Sequence, residues 1–195
     1  MKLKTKKISV DISFYFAAVL TLSMLSDKTN ISCYSILSAL LHETGHLLCL
    51  LFFRANPKSI TLSLFGMRIV RGAKTLSYKQ EIMTALSGPL VNLFLFAVFL
   101  FFGEKAMMFS AVNLALGLFN LLPVKPMDGG EVLYFSLCRF FNENTVRKIS
   151  DVITVITALI LFILGVCLLI KSGYNFMLLV VSVYIVFYLY LEKKR

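Results

Sequence analysis

The strongest constraint on this chain is that its apolar residues come in blocks long enough to cross a membrane. Six such blocks lie at about 8–25, 32–53, 82–102, 106–140, 152–170 and 174–191. A helix of about 20 apolar residues spans the ~30 Å of hydrocarbon in a bilayer. Hydrophobic residues make up 58% of the 195, whereas roughly half is typical of soluble domains. The pattern predicts an all-α polytopic membrane protein with six transmembrane helices, folded as one domain over 1–195.

The net charge of +10 is arranged as expected for membrane topology. If the N-terminus is cytoplasmic, six crossings leave only Lys28, Lys105 and Lys171, of the 20 Lys and Arg residues, on the outer side. An excess of basic residues in cytoplasmic segments follows the positive-inside rule. We therefore expect a multi-pass protein of the cell membrane with both termini cytoplasmic, and no nucleic-acid partner is needed to explain the charge.

Two further features limit the kind of protein. The first block follows a lysine-rich start, but no small-residue cleavage site follows it, so we expect a retained first span rather than a signal peptide. The four cysteines are scattered and include no CxxC pair, which argues against a disulfide framework or a cysteine zinc site.

The fourth block is interrupted by the sequence NLLPVKPMDGG, which places Pro123, Pro126 and Gly129 in apolar surroundings. Proline removes a backbone donor and clashes with the preceding turn, so the helix should break near 123–130. Unwound backbone at membrane depth is tolerated only where protein buries it or where it lines a water-filled cavity. The sequence therefore predicts a polar cavity at this break, with Asp128 in it.

The segment 56–80 is the longest piece outside the apolar blocks. Apolar and polar residues alternate from Ile60 to Leu64, and Gly66 precedes a second apolar stretch. Alternation on both sides of a turn predicts a β-hairpin, here at the cytoplasmic membrane surface; an amphipathic loop is the alternative.

The second block contains HETGH, an unusual set of residues for a membrane helix. His42 and His46 are four residues apart, so their rings share one helix face and could bind one metal ion. Glu43 between them could take a proton from a metal-bound water. Ionisable groups inside a membrane are costly and mark functional sites, so a metal site is favoured over a hydrogen-bonded structural cluster.

A catalytic zinc has three protein ligands and one open position, so a third ligand is needed. Asp128 is favoured because the break lets its carboxylate turn inward. Glu131 is the second candidate, although an acid there also suits the N-terminus of the resumed helix. Cys49, one turn from His46, is better explained as a small apolar residue.

Together, HETGH, SGPLVN in the third block and NLLPVKPMDGG in the fourth resemble the site-2 protease family of intramembrane zinc metalloproteases. The resemblance covers essentially the whole chain. The six spans, without an inserted PDZ domain, are similar to the branch that contains the stage IV sporulation protein FB, but lack its C-terminal CBS domain. The resemblance implies one Zn²⁺ per chain, held by His42, His46 and Asp128, with Glu43 as the catalytic base; it matches Glu131 to no ligand.

The same resemblance implies hydrolysis of a peptide bond in or near a transmembrane segment of a membrane-tethered protein, such as a transcription regulator, sigma factor precursor or anti-sigma factor. The expected partners are that substrate, the lipid bilayer and a regulatory membrane protein. His46 lies about seven residues from the end of its span, or ~10 Å, so the site should open toward the cytoplasm. The residues expected to bind substrate or support the site are Asn92, Asn120, Pro123, Pro126 and Gly129.

Several alternatives remain open at this point. An exposed strand within 58–71 could bind the substrate by β-addition. Asn92 and Asn120 could contact substrate or could simply tie the third and fourth spans together. The chain could be a membrane zinc metalloprotease of another lineage that uses Glu131, or a non-catalytic metal-binding membrane protein.

Overall fold

The computed structural model describes residues 2–4, 9–12, 27, 29–55, 57–63, 66–71 and 75–194. In that part of the chain the helices are α1 (Ile31–Phe52), α2 (Tyr78–Phe99), α3 (Glu104–Asn120), α4 (Asp128–Leu137), α5 (Glu143–Ser172) and α6 (Met177–Lys193). The strands are β1 (Lys2–Lys4), β2 (Ser9–Ile12), β3 (Pro57–Ser63) and β4 (Gly66–Arg71). The chain forms two compact units, Met1–Leu118 and Phe119–Arg195.

Among the described residues, three helices are long and apolar enough to cross a membrane: α1, α2 and α5. Ala106–Asn120 in α3 is a shorter apolar helix, and α6 has 17 residues. Most of the first predicted span, 8–25, lies outside the described residues. Its start is strand rather than helix at Ser9–Ile12, because polar and apolar residues alternate there with the period of a strand.

In the first unit, α1 and α2 pack through small and polar residues. The buried residues of α1 are Ser38, His42, Gly45, His46 and Leu50, a single stripe at helical spacing. Gly45 permits close approach, since a Cβ added there would lie 2.7 Å from the carbonyl oxygen of Ser87. Small residues allow helix backbones to come together in this way in membranes.

Helix α2 begins four residues before the predicted span at 82. Ser77 accepts a hydrogen bond from the Gln80 backbone, and the Gln80 side chain accepts one from the Ser77 backbone. This reciprocal capping box satisfies two of the amides that a helix start leaves without partners. The local polar sequence therefore sets the helix boundary, which hydropathy alone could not locate.

The four strands form one sheet in the order β1-β2-β3-β4. β3 and β4 pair antiparallel, with Ile60 opposite Ile69, in the segment where alternation predicted a hairpin. β1 and β2 are also antiparallel, whereas β2 and β3 are parallel, with Val10 opposite Ile60. The N-terminal strands were not predicted, because the alternation at Ser9–Ile12 is only four residues long and lies at the start of a long apolar block.

In the second unit, helical structure stops at Asn120 and resumes at Asp128. The break was predicted near 123–130 with resumption near Gly130, so it lies two to three residues earlier. The intervening segment is packed: Val124 is fully buried against Ala158 of α5 and Ile185 of α6. The Lys125 backbone N–H donates to Thr154 Oγ1 at 3.3 Å. Burial and hydrogen bonding thus fix the unwound segment, as membrane depth requires.

Candidate metal centre

His42 and His46 lie on consecutive turns of α1, and one ring nitrogen of each faces the other. Their Nε2 atoms are 3.1 Å apart, and the rings are 5% and 9% exposed. Which ring nitrogen carries the proton follows from the partners of the Nδ1 atoms.

His46 Nδ1 lies 2.7 Å from the carbonyl oxygen of Thr84. A carbonyl oxygen can only accept a hydrogen bond, so His46 must donate from Nδ1. The Ser87 hydroxyl donates to the same carbonyl at 2.6 Å. The proton of His46 is therefore on Nδ1, and its Nε2 is an acceptor.

His42 Nδ1 lies 2.5 Å from Asn92 Oδ1. The orientation of the Asn92 amide is set on its other side, where Nδ2 donates to the Ser38 carbonyl oxygen at 3.2 Å and to Asn113 Oδ1 at 2.9 Å. Since Nδ2 faces these two oxygens, Oδ1 faces His42, and His42 also donates from Nδ1.

Both neutral rings therefore present an Nε2 lone pair to the same point, and neither can donate to the other. The two lone pairs repel each other, and a cation bound by both nitrogens would remove that repulsion. Two imidazoles on a tetrahedral zinc, at 2.0–2.1 Å each, have nitrogens about 3.4 Å apart, close to the observed spacing. A second hydrogen bond from the far ring nitrogen is typical of metal-bound histidine. The residues present fit zinc.

Gly88 of α2 keeps the space beside the two imidazoles open. A Cβ added at Gly88 would overlap His46 Nε2 and lie 2.7 Å from His42 Nε2, so a side chain there would fill the space beside both nitrogens. In the sequence, Gly88 stands out only as part of the SGPLVN stretch.

The other candidates on α1 have different surroundings. Glu43 is half-buried and lies next to His42, about 100° further around the helix. Cys49 Sγ is 3.7 Å from Thr84 Oγ1, which donates to it. Cys49 is thus part of the α1–α2 packing, in keeping with the apolar role expected for it.

Asp128, Asn120, Pro123, Pro126 and Gly129 lie in the second unit. Asp128 is the first residue of α4 and is half-buried. Gly129 is needed at this junction because a Cβ there would overlap the carbonyl oxygen of Leu121, and a Cβ at Gly130 would lie 2.6 Å from that of Val124. The two glycines therefore let the unwound segment fold directly onto the start of α4.

Glu131 and the two prolines are more peripheral in this unit. Glu131 is exposed in the first turn of α4, where an acid stabilises a helix N-terminus. Pro123 and Pro126 are exposed, and Asn120, the last residue of α3, is half-buried.

Comparison with known proteins agrees with these observations. The model of peptidase family M50 matches residues 104–164. The solved structure of the site-2 protease from Methanocaldococcus jannaschii superimposes on this chain with a TM-score of 0.69 at 25% sequence identity. The match covers 96% of this chain and 92% of that structure's chain. The resemblance to the site-2 protease family is confirmed. Zinc is accordingly the cofactor, and the histidine pair supplies nitrogen ligands suited to it.

Two curated relatives match parts of this chain. A Synechocystis protein provisionally named zinc metalloprotease sll0528 is 37% identical over 106 residues, covering 49% of this chain and 28% of that protein. Stage IV sporulation protein FB of Bacillus subtilis is 26% identical over 135 residues, covering 65% of this chain and 47% of that protein. The chain thus spans less than half the length of either relative.

Proposed function

We propose that this chain is an intramembrane zinc metalloprotease that hydrolyses a peptide bond in or near a transmembrane segment of a membrane-tethered protein. The observation that carries the proposal is the histidine pair on α1: both rings are held with Nε2 as acceptor, and Glu43 lies between them. A metal carrier needs such ligands but has no use for the glutamate. The pair also lies in a helix long and apolar enough to cross a membrane.

We propose Asp128 as the third ligand, beside His42 and His46. Two imidazole nitrogens and one carboxylate are a ligand set typical of catalytic zinc, which keeps a fourth position for water. The resemblance to site-2 proteases points to the same aspartate. Glu131 is less suitable because its exposed position in the first turn of α4 is accounted for by the helix N-terminus.

In this mechanism, bound zinc would polarise the scissile carbonyl and activate a water molecule. Glu43 accepts a proton from that water and passes it to the leaving amine nitrogen as the C–O bond forms and the C–N bond breaks. Asn92 and the Thr84 carbonyl keep the two imidazoles in the tautomer that binds metal. Asn120 borders the unwound segment and Pro123 and Pro126 lie within it; an extended substrate is expected to lie there.

A helical substrate hides its carbonyl groups, so it must become extended before cleavage. The sheet supports a route for this, since β4 is an edge strand with backbone groups able to pair with an added strand. We propose that the sheet lies at the cytoplasmic membrane surface, with both termini cytoplasmic, six crossings in total and the site open to the cytoplasm.

The substrate class follows from the family resemblance: a membrane-tethered transcription regulator, sigma factor precursor or anti-sigma factor, with regulated intramembrane proteolysis as the process. A role in sporulation is supported by the similarity to stage IV sporulation protein FB. A regulatory membrane protein is a further proposed partner.

The test of the activity is co-expression with candidate single-span regulators, comparing wild type with Glu43→Gln at equal expression. Glu43→Gln should abolish the cleavage products while leaving zinc content unchanged, because the base is lost and the ligands are kept. Cleavage that persists in Glu43→Gln with full zinc loading would rule out the proposed chemistry.

The third ligand is tested by Asp128→Asn against Glu131→Gln. Asp128→Asn should lose both zinc and cleavage, and Glu131→Gln should keep both. The opposite pattern would identify a metalloprotease of another lineage. Zinc binding in wild type without any cleavage of a membrane-tethered protein would favour a non-catalytic metal-binding protein.

A further inference from the structure

We infer that Asn113 is a positioning residue for the metal centre, which fixes the tautomer of His42 through the side chain of Asn92. This inference rests on the proposed zinc site. It concerns a residue of α3 whose hydrogen bonds are to Asn92 and to the Phe109 carbonyl rather than to a histidine, and that sequence reasoning did not single out.

The contacts form a directed chain of hydrogen bonds across three helices. Asn113 Nδ2 donates to the carbonyl oxygen of Phe109, one turn earlier in α3, at 2.9 Å. That contact turns Asn113 Oδ1 toward α2, where it accepts from Asn92 Nδ2 at 2.9 Å. Asn92 Oδ1 then accepts from His42 Nδ1 on α1.

Because the two asparagines are buried, these hydrogen bonds determine how the Asn92 amide is oriented. Asn92 and Asn113 are both 0% exposed, so water cannot replace a missing partner, and a buried amide must find its hydrogen bonds within the protein. The oxygen and the nitrogen of an asparagine amide have nearly the same shape. Only their partners determine which of the two faces His42.

Asn113 supplies one of the two acceptors that determine this orientation, and the Ser38 carbonyl supplies the other. With both present, a reversed Asn92 amide would turn its oxygen toward two oxygens. Without Asn113, only the Ser38 carbonyl opposes reversal. A reversed amide would donate to His42 Nδ1, move the ring proton to Nε2 and so block the metal-binding nitrogen.

The chain has only two histidines, which makes the tautomer directly measurable. Full-length protein labelled with ¹⁵N-histidine, purified in detergent and stripped of metal, gives nitrogen signals from two rings alone. His46→Asn assigns them. Nδ1 and Nε2 have well-separated ¹⁵N shifts according to which carries the proton.

Wild type should show Nδ1-protonated His42. Asn113→Leu, which keeps the number and branching of the side-chain heavy atoms but removes both hydrogen bonds, should shift His42 toward the Nε2-protonated form and leave His46 unchanged. Zinc affinity, measured by chelator competition, should fall about 10- to 100-fold, the usual effect of losing an outer-shell partner. Asn113→Asp retains an oxygen facing Asn92 and should preserve both the tautomer and the affinity.

The matched control is Ser110→Ala. Ser110 is also buried on α3 and its hydroxyl also reaches α2, donating to the Phe96 carbonyl at 2.9 Å, but it has no connection to His42. It should therefore change neither the tautomer nor the affinity.

An unchanged His42 tautomer in Asn113→Leu would overturn the inference, as would an equal effect of Ser110→Ala. Because the tautomer is read in metal-free protein, either result is distinct from a failure of the proteolytic proposal, which appears only in the cleavage assay.

Discussion

At the scale of single residues, the histidines, Glu43 and Asp128 could be proposed as site residues from the sequence because each type has a chemistry that a membrane helix does not otherwise accommodate. Gly88 and Asn113 could not be found in this way. Gly88 matters through the absence of an atom, and Asn113 through a contact two helices away from the ring it affects. Neither property has a local pattern.

Gly88→Ala is the residue-scale test of the open space at the centre. The added methyl would overlap His46 Nε2 and lie 2.7 Å from that of His42, so we expect the protein to fold but to lose most of its zinc. Ser110→Ala is the control, because it also alters a buried helix residue but adds no atom beside the two imidazoles. Metal content of both purified variants is the measurement, and full zinc in Gly88→Ala would show that the metal lies elsewhere.

At the scale of elements, hydropathy predicted α1, α2 and α5 because each has a long apolar stretch. It failed at boundaries set by other forces. The Ser77–Gln80 capping box starts α2 early, and α5 begins at Glu143, well before the predicted 152, with Asn142 accepting a hydrogen bond from the Thr145 backbone. The prolines predicted the break after α3, but not the contacts that hold it.

Lys125 makes two of those contacts, which are ion pairs that connect the unwound segment to two helices. Its Nζ lies 3.2 Å from Asp151 Oδ1 on α5 and 3.1 Å from Glu192 Oε1 on α6. Both ion pairs are partly exposed, so each is expected to contribute at most about 1 kcal/mol.

We expect Lys125→Met to lower the thermal midpoint of the detergent-solubilised protein modestly, whereas Lys125→Arg should retain most of the stability. Salt should reduce the difference between wild type and Lys125→Met, because it screens exposed charges. Equal midpoints for Lys125→Met and wild type at low ionic strength would show that burial of Val124 and the backbone hydrogen bond to Thr154 hold the segment without the ion pairs.

At the scale of the whole molecule, the charge distribution predicts on which side of the membrane each segment lies, and two native cysteines can test it. Cys33 is exposed in the first turn of α1, and Cys138 directly follows α4. The proposed topology places them on opposite sides.

In single-cysteine variants, a membrane-impermeant maleimide applied to intact cells should label Cys33. Cys138 should be labelled only after the membrane is opened. Labelling of Cys138 in intact cells would contradict the proposed topology, because it would place the end of α4 on the outer side of the membrane.

The parallel pairing of β2 with β3 also constrains how this chain can be inserted. Strands hydrogen-bonded in one sheet lie on the same side of a bilayer, because open strand edges are not tolerated in lipid. The proposed topology satisfies this condition, since it has two crossings between Ile12 and Pro57. The N-terminal lysines and the arginines of β4 then share one compartment, so neither group of charges can change sides without the other.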